Sequence, residues 1–129
     1  MSDGAPKDDV SGPYWEGLAA GEIRLQRCTS CQRHRHYPQV LCPHCHSWDW
    51  VAVRVDGRGE VYSWTVVHLS FVPDDPEPTP YALLTVQLPE GVRLLARLSD
   101  PQGLALGRPV LVTPVTDSGR TPALVATLL

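Results

Sequence analysis

The chain has 129 residues, a formal net charge of −3 at pH 7 and 43% hydrophobic residues. This length suits one domain, or one small domain joined to a metal-bound module. The acidic balance disfavours a nucleic-acid binder, which usually carries the opposite charge. The sequence shows neither a run of about 18 apolar residues nor the apolar core of a signal peptide, so we expect a cytoplasmic protein without membrane contact.

A short helix is predicted over residues 13–20, within an N-terminal tail and helical arm that we place at residues 1–21. Pro13 suits the first helical position, and Gly21 suits the left-handed residue that ends a helix. One face of this helix carries three large side chains, Tyr14, Trp15 and Leu18. Two helical turns are not stable alone, so this face must be buried. Either it packs on the chain's own ribbon or barrel, or it docks on a partner protein.

Residues 22–50 contain two Cys-x-x-Cys pairs and are predicted to form a zinc ribbon. The pairs are Cys28 with Cys31 and Cys42 with Cys45. Each pair brings two thiolates together without strain, and two pairs complete the tetrahedral coordination of zinc. All four cysteines of the chain are then used, and no ligand position remains for water. This pattern is typical of a structural zinc site.

Disulfides, redox chemistry and another metal are less favoured roles for these cysteines. Disulfides need an oxidising compartment, and a redox Cys-x-x-Cys is a single pair beside a βαβ pattern. Four histidines lie close to the pairs with irregular spacing, so we interpret them as neighbours of the site: His34, His36, His44 and His46. Residues 33–36 form a locally basic cluster that could meet a phosphate, although a solvated ribbon edge is favoured. Trp48 and Trp50 are expected to cover the site.

Residues 51–129 read as strands, and we predict five of them in a small closed barrel. The predicted strands are 60–71, 81–88, 92–98, 107–115 and 121–128. In the third, alternation predicts that Val92, Leu94, Ala96 and Leu98 point inward and that Arg93 and Arg97 point outward. The OB-fold is the five-stranded solution with one strand long enough to bend, and a small β-sandwich is the alternative. Gly57 and Gly59 would permit sharp curvature at the entry.

The loop at residues 71–80 carries four prolines, so we expect it to be stiff and to lose little entropy on docking. Its Phe71 is therefore a predicted partner contact, together with the helix face. Little in the sequence predicts catalysis, because no Gly-x-Ser-x-Gly, Walker loop or His-Glu-x-x-His occurs. His68 could act as a general base, but the sequence pairs no carboxylate with it.

A series of motifs over roughly residues 13–116 matches one known family in order. They are Tyr14-Trp15-Glu16-Gly17-Leu18, the two cysteine pairs, Pro38, the run from Gly57 to His68, Pro80-Tyr81, Leu88-x-x-Gly91-Val92-Arg93-Leu94 and Gly107-x-Pro109-Val110. The chain resembles the acyl-CoA-associated family with a rubredoxin-like zinc ribbon and an OB-fold, long catalogued as a domain of unknown function. Family tails often end in Pro-x-Phe-x-Pro, and this chain departs from that pattern at residues 122–129.

The resemblance implies a helical arm, a ribbon with structural Zn²⁺ and a C-terminal OB-fold. It also implies that the chain acts together with a thiolase-superfamily enzyme. These enzymes are thiolases, hydroxymethylglutaryl-CoA synthases and lipid-transfer-protein-like aldolases that shorten sterol side chains. Some members are fused to hydratase-like domains. Members act as scaffolds and help shape a CoA channel, while the partner holds the catalytic group.

We therefore predict a non-catalytic accessory subunit in a hetero-oligomer with such an enzyme. Three residues are candidates for contact with acyl-CoA, namely Arg93, Arg97 and His68. One alternative is a nucleic-acid-binding ribbon plus OB-fold, which the acidic balance and the single lysine disfavour. A further alternative is an enzyme that uses His68 or the acids of the proline loop.

Overall fold

The computed structural model describes residues 10–69, 79–116 and 123–129, which form one helix and two sheets. The elements are α1 (Gly12–Ala19), β1 (Ile23–Cys28), β2 (His34–Arg35), β3 (Trp50–Val55), β4 (Arg58–Val67), β5 (Tyr81–Gln87), β6 (Arg93–Leu98), β7 (Pro109–Val115) and β8 (Ala123–Leu128). The first sheet has the order β2-β1-β3, and the second is a closed barrel with the order β4-β5-β6-β8-β7. No helix in these described residues is long and apolar enough to cross a membrane.

The predicted helix is present, shifted by one residue, and its apolar face packs on the chain itself. Tyr14 and Leu18 are buried, and they belong to the same apolar cluster as Ile23 of β1. Of the two interpretations of this face, burial against the chain's own core is therefore correct for Tyr14 and Leu18. Trp15 is only partly buried against that cluster, so the prediction of a partner contact remains for Trp15 alone on this helix.

The central strand of the first sheet is β1, which is antiparallel to both neighbours. Residue pairs run from Ile23 opposite Val55 to Cys28 opposite Trp50. The predicted boundary between ribbon and barrel at residue 50 therefore falls inside β3, whose whole length pairs with the ribbon. The barrel strands begin at Arg58.

Gly57 joins the two sheets, and the backbone there requires a glycine. Its φ is 82°, and its carbonyl accepts a hydrogen bond from the N–H of Val112 at 2.9 Å. A Cβ at this position would collide with the carbonyl oxygen of Val112 and come within 3.2 Å of Ile23. This close approach lets the ribbon's first strand and the barrel share one core.

The five-stranded closed barrel is the predicted architecture, and the alternative β-sandwich is excluded. Its clearest strand is β6, where the predicted inward residues are buried and Arg93 is exposed. On the same strand Leu94 is 1% exposed and Leu95 is 54% exposed, as the two-residue repeat of a strand requires. The predicted strand 60–71 is observed as β4, and Phe71 lies outside the described residues.

Candidate zinc centre and its surroundings

The two cysteine pairs form two turns of matching geometry. In the first, the N–H of Gln32 donates to the carbonyl of Cys28 at 2.9 Å. In the second, the N–H of His46 donates to the carbonyl of Cys42, also at 2.9 Å. Cys28 ends β1, so the first turn is fixed to the central strand of the ribbon. Each turn places its two thiols on the same side.

The four thiols face one another at distances that suit one zinc ion. The Sγ atoms of Cys28 and Cys45 are 3.5 Å apart, and those of Cys31 and Cys42 are 3.7 Å apart. All four sulfurs lie within 4.8 Å of one another. Four thiolates at about 2.3 Å from a central zinc would be about 3.8 Å apart in an ideal tetrahedron. The described residues thus contain four cysteine donors at nearly tetrahedral spacing.

Hydrogen bonds within the turns separate the pKa values of these thiols. The backbone N–H of Cys31 lowers the pKa of Cys28, and the backbone N–H of Cys45 lowers the pKa of Cys42 to about 6. The N–H of Ser47 also acts to lower the pKa of Cys45, but three neighbouring thiols and burial raise it to about 11. Zinc coordination requires thiolates, so metal binding must release protons from this cluster.

The basic cluster at residues 33–36 is only partly the solvated edge that the sequence suggested, because Arg33 is exposed but Arg35 is buried. Arg35 is only 4% exposed, and its Nε and Nη2 donate to Gln26 Oε1 at 2.7 Å and to the Gln39 carbonyl at 3.1 Å. His36 is largely buried beside Tyr14, with ring centroids 4.9 Å apart, and desolvation lowers its pKa to about 4. This interpretation failed for Arg35 because Gln26 provides an internal acceptor for the arginine, a partner that lies nine residues away in sequence.

The expected aromatic cover of the metal site is also only partly correct. Trp50 is half-buried in β3, but Trp48 is 68% exposed. Backbone hydrogen bonds close the site instead. The N–H of Thr29 donates to the Asp49 carbonyl at 3.2 Å, and the N–H of Cys42 donates to the Ser47 carbonyl at 3.0 Å.

The three candidate acyl-CoA contacts, Arg93, Arg97 and His68, lie on the barrel but not all at the same end of it. Arg93 stacks on the Tyr62 ring at 3.7 Å, and Arg97 stacks on the Tyr81 ring at 4.6 Å. The arginines are four positions apart, which is about 13 Å along β6. His68 is exposed just beyond β4, at the end that pairs with Tyr81. The structure therefore places His68 towards the end of β5 and β6 that carries Arg97, and Arg93 at the opposite end of β6.

Two family models match consecutive parts of the chain. Residues 15–51 match the model described as ChsH2, rubredoxin-like zinc ribbon domain, and residues 52–114 match ChsH2, C-terminal OB-fold domain. The first match contains all four cysteines, so their thiols form a structural zinc site. The second match agrees with the closed five-stranded barrel, which is an OB-fold.

Three curated relatives cover different shares of the chain. A probable enoyl-CoA hydratase alpha subunit of Thermomonospora curvata is 37% identical over 83% of this chain and 34% of its own length. The 3-oxo-4,17-pregnadiene-20-carboxyl-CoA hydratase alpha subunit of Mycobacterium tuberculosis is 35% identical over 78% of this chain and 32% of its own length. A DUF35 domain-containing scaffold protein of Methanocaldococcus jannaschii is 30% identical over 65% of this chain and 61% of its own length. The chain thus spans about a third of the length of the two hydratase subunits.

One solved structure matches almost the whole chain. A chain of the structure described as Ltp2-ChsH2(DUF35) aldolase superposes with a TM-score of 0.79 and 32% sequence identity. The match covers 95% of this chain and 97% of the other. The likeness therefore includes the helix, the ribbon and the barrel together.

Proposed function

We propose, because this chain belongs to the ChsH2 (DUF35) family of zinc-ribbon and OB-fold proteins, that it is a non-catalytic accessory subunit of a thiolase-superfamily acyl-CoA enzyme. The partner would be a thiolase, a hydroxymethylglutaryl-CoA synthase or a lipid-transfer-protein-like aldolase that degrades lipid or sterol side chains. The observation that carries this proposal is the likeness, over nearly the full length of both chains, to a chain of the Ltp2-ChsH2(DUF35) aldolase. The hydratase names belong to much longer proteins, and about two thirds of their length lies outside the part that matches this chain.

The outer surface of the barrel supports a protein partner. Tyr62, Leu83 and Leu95 are large apolar side chains that are between 38% and 54% exposed. Strand pairing places Leu83 opposite Arg97 and Leu95 opposite Thr85, so these residues share the outer face of β5 and β6. Aromatic and arginine side chains with apolar neighbours are typical of the centres of protein interfaces. We call this surface the outer barrel face.

Trp15 offers a second contact to the same kind of partner. Its ring meets that of Tyr14 edge-on with centroids 5.3 Å apart, and Tyr14 is buried in the core. The indole is thus held on a fixed platform while part of it stays accessible. Such pre-ordering reduces the entropy lost on binding. Phe71 is proposed as a further contact from the sequence alone.

Contact with acyl-CoA would come from Arg93, Arg97 and His68. Each guanidinium is stacked on a tyrosine, so its position is restricted before a ligand arrives. Planar guanidinium groups bind phosphate oxygens in pairs, which suits the phosphates of CoA. The separation of the arginines along β6 means that they would meet different parts of one long ligand.

The described residues also support a role without catalysis. Their four cysteines are the zinc ligands, which leaves no free thiol nucleophile among them. His68 is exposed, and no described carboxylate forms an ion pair with it. The partner enzyme would therefore hold the reacting groups, and this chain would shape or cover the acyl-CoA channel.

The test is an activity assay with a co-purified thiolase-superfamily partner, this chain alone, and the partner alone. The proposal expects no acyl-CoA turnover by this chain and higher activity or solubility of the partner in the complex. Leu95→Ser on the outer barrel face should weaken the complex. Leu106→Ser is the control, since Leu106 is a still more exposed leucine outside that face. Acyl-CoA turnover by the isolated chain would refute the proposal.

A further inference from the structure

A groove runs between the zinc ribbon and the turn that joins β5 to β6. It consists of two adjoining cavities with volumes of about 350 and 370 Å³, which share His34, His44 and Gly91. Arg33 and Arg35 line it from the ribbon, in different cavities. We call it the ribbon–barrel groove. It differs from the outer barrel face because most of its lining belongs to the ribbon and to the β5–β6 turn.

The charges that line this groove are mainly positive. Three arginines, Arg33, Arg35 and Arg93, line it together with a single carboxylate, that of Glu90. The chain as a whole has the opposite sign, with a formal net charge of −3. Within the described residues, the ion pairs join Glu22 to Arg24 and Arg54 and include none of the groove's arginines. The groove therefore concentrates positive charge on an acidic protein.

Arg35 is a buried cation with neutral partners only. Its two hydrogen bonds go to the amide oxygen of Gln26 and to the backbone carbonyl of Gln39. Its third nitrogen, Nη1, is buried and has no hydrogen-bond partner among the described atoms. Burying a charge without a counter-charge is costly, and neutral acceptors offset only part of that cost. Arg35 also lines the groove, so an anion held there would supply a counter-charge.

Arg93 reaches the groove from the barrel with a restricted side chain. Its Nε donates to Gln87 Oε1 at 2.9 Å, and its guanidinium carbon lies 3.7 Å from the centre of the Tyr62 ring. These contacts use one of its three nitrogens and leave both Nη groups without a hydrogen-bond partner in the described part of the chain. Gln87 itself is held by bonds from its Nε2 to the carbonyls of Leu88 and Val92, both at 3.3 Å.

We propose that the ribbon–barrel groove binds the phosphate group of a small molecule. The anionic oxygens of a phosphate accept hydrogen bonds, and the arginines and Gln39 that line the groove offer donors. Guanidinium groups match phosphate geometry better than other cationic side chains do. The cavity volumes are within the range of small-molecule sites. Arg93 is shared with the proposed acyl-CoA contacts, so in this respect the proposal rests on the proposed function. It adds Arg33 and Arg35 of the ribbon, and because the whole site lies on one chain it can be tested without a partner enzyme.

The zinc-loaded full chain, labelled with ¹⁵N, is titrated with inorganic phosphate at constant ionic strength, with chloride as the control anion. The expected result is saturable movement of the amide signals of His34, Gly91 and Arg93. A parallel titration with adenosine monophosphate identifies the source of the phosphate. Tighter binding of the nucleotide supports a phosphoester ligand, and equal binding supports free phosphate.

Two substitutions locate the binding. Arg93→Gln should weaken phosphate binding by about tenfold, the loss expected for one charge-assisted contact, and Arg33→Gln provides a second variant on the ribbon side. Arg54→Gln is the control, because Arg54 is an exposed arginine of β3 outside the groove. The proposal is overturned if phosphate moves no groove signal, or if Arg93→Gln and Arg54→Gln have equal effects. It is also overturned if the arginine substitutions lower zinc retention alone, since the arginines would then only balance the charge of the zinc thiolates.

Discussion

Gln32 and His46 occupy equivalent positions in the two zinc-binding turns, one residue after the second cysteine of each pair. Their φ angles are 67° and 63°, in the left-handed region that few residues other than glycine adopt. Each N–H bonds back to the carbonyl of the first cysteine in its own pair. The two halves of the site therefore share one backbone geometry, although their sequences differ.

Replacing His46 with glycine should stabilise the zinc-loaded chain by about 0.5–1 kcal/mol. Glycine avoids the left-handed penalty of about 1–2 kcal/mol but loses more chain entropy on folding. His44→Gly is the matched control, because His44 has no positive φ and should gain nothing. Denaturant unfolding measures both. A greater loss of stability in His46→Gly than in His44→Gly would contradict this account of the turn.

The chain should contain one zinc ion, and removal of a ligand should unfold the ribbon. Cys42 is buried among the four thiols, and metal binding supplies part of the folding free energy of such small modules. Cys42→Ser should therefore lower solubility or melt the ribbon, as should a strong chelator. Thr29→Ser, an exposed change in the first turn, should retain a full equivalent of zinc. Metal analysis that finds well under half an equivalent in fresh protein would contradict the assignment.

The barrel core can be tested on neighbouring leucines of β6. Leu94→Ala should cost about 2–5 kcal/mol, because it leaves a cavity beneath a side chain that is 1% exposed. Leu95→Ala, on the outer face of the same strand, should cost much less. Unfolding free energies give the comparison. A change below about 0.5 kcal/mol for Leu94→Ala would mean that the face assignment is wrong.

His36 should make stability depend on pH in mild acid. Burial lowers its folded pKa to about 4, against about 6.5 in the unfolded chain, so the unfolded state binds the proton first as pH falls. About 3 kcal/mol of stability is therefore present above pH 6.5 and is lost progressively towards pH 4. His36→Phe keeps a ring beside Tyr14 and should remove this dependence.

The control for this pH effect is His68→Phe, the same substitution at an exposed histidine outside the core. All variants are unfolded with the same excess of zinc, so that acid-induced loss of metal is common to them. Identical pH profiles for His36→Phe and the unaltered chain would contradict the burial of a neutral His36.

The sequence predicted the features that follow from local spacing. The cysteine pairs specified the zinc ligands, because four thiols at this spacing have few other arrangements. The strict alternation in β6 identified both faces of the strand, since one face is buried. Family motifs added the OB-fold.

Features that depend on distant residues could not be predicted in this way. Arg35 looked solvated because its acceptor, Gln26, lies on another strand, and only the pairing of β1 with β2 brings them together. Tyr14 and Leu18 looked available to a partner because sequence periodicity shows an apolar face without showing what covers it. The groove next to Arg93 likewise depends on how the ribbon sits against the β5–β6 turn.

The most direct test of the subunit role is co-expression with thiolase-superfamily candidates from the same genome, followed by size-exclusion chromatography at micromolar concentration. The account predicts that this chain elutes with one of them as a complex, and that Trp15→Ala weakens the complex while the isolated chain stays folded. Elution of this chain alone in every pairing, with no candidate gaining solubility or activity from it, would contradict the account.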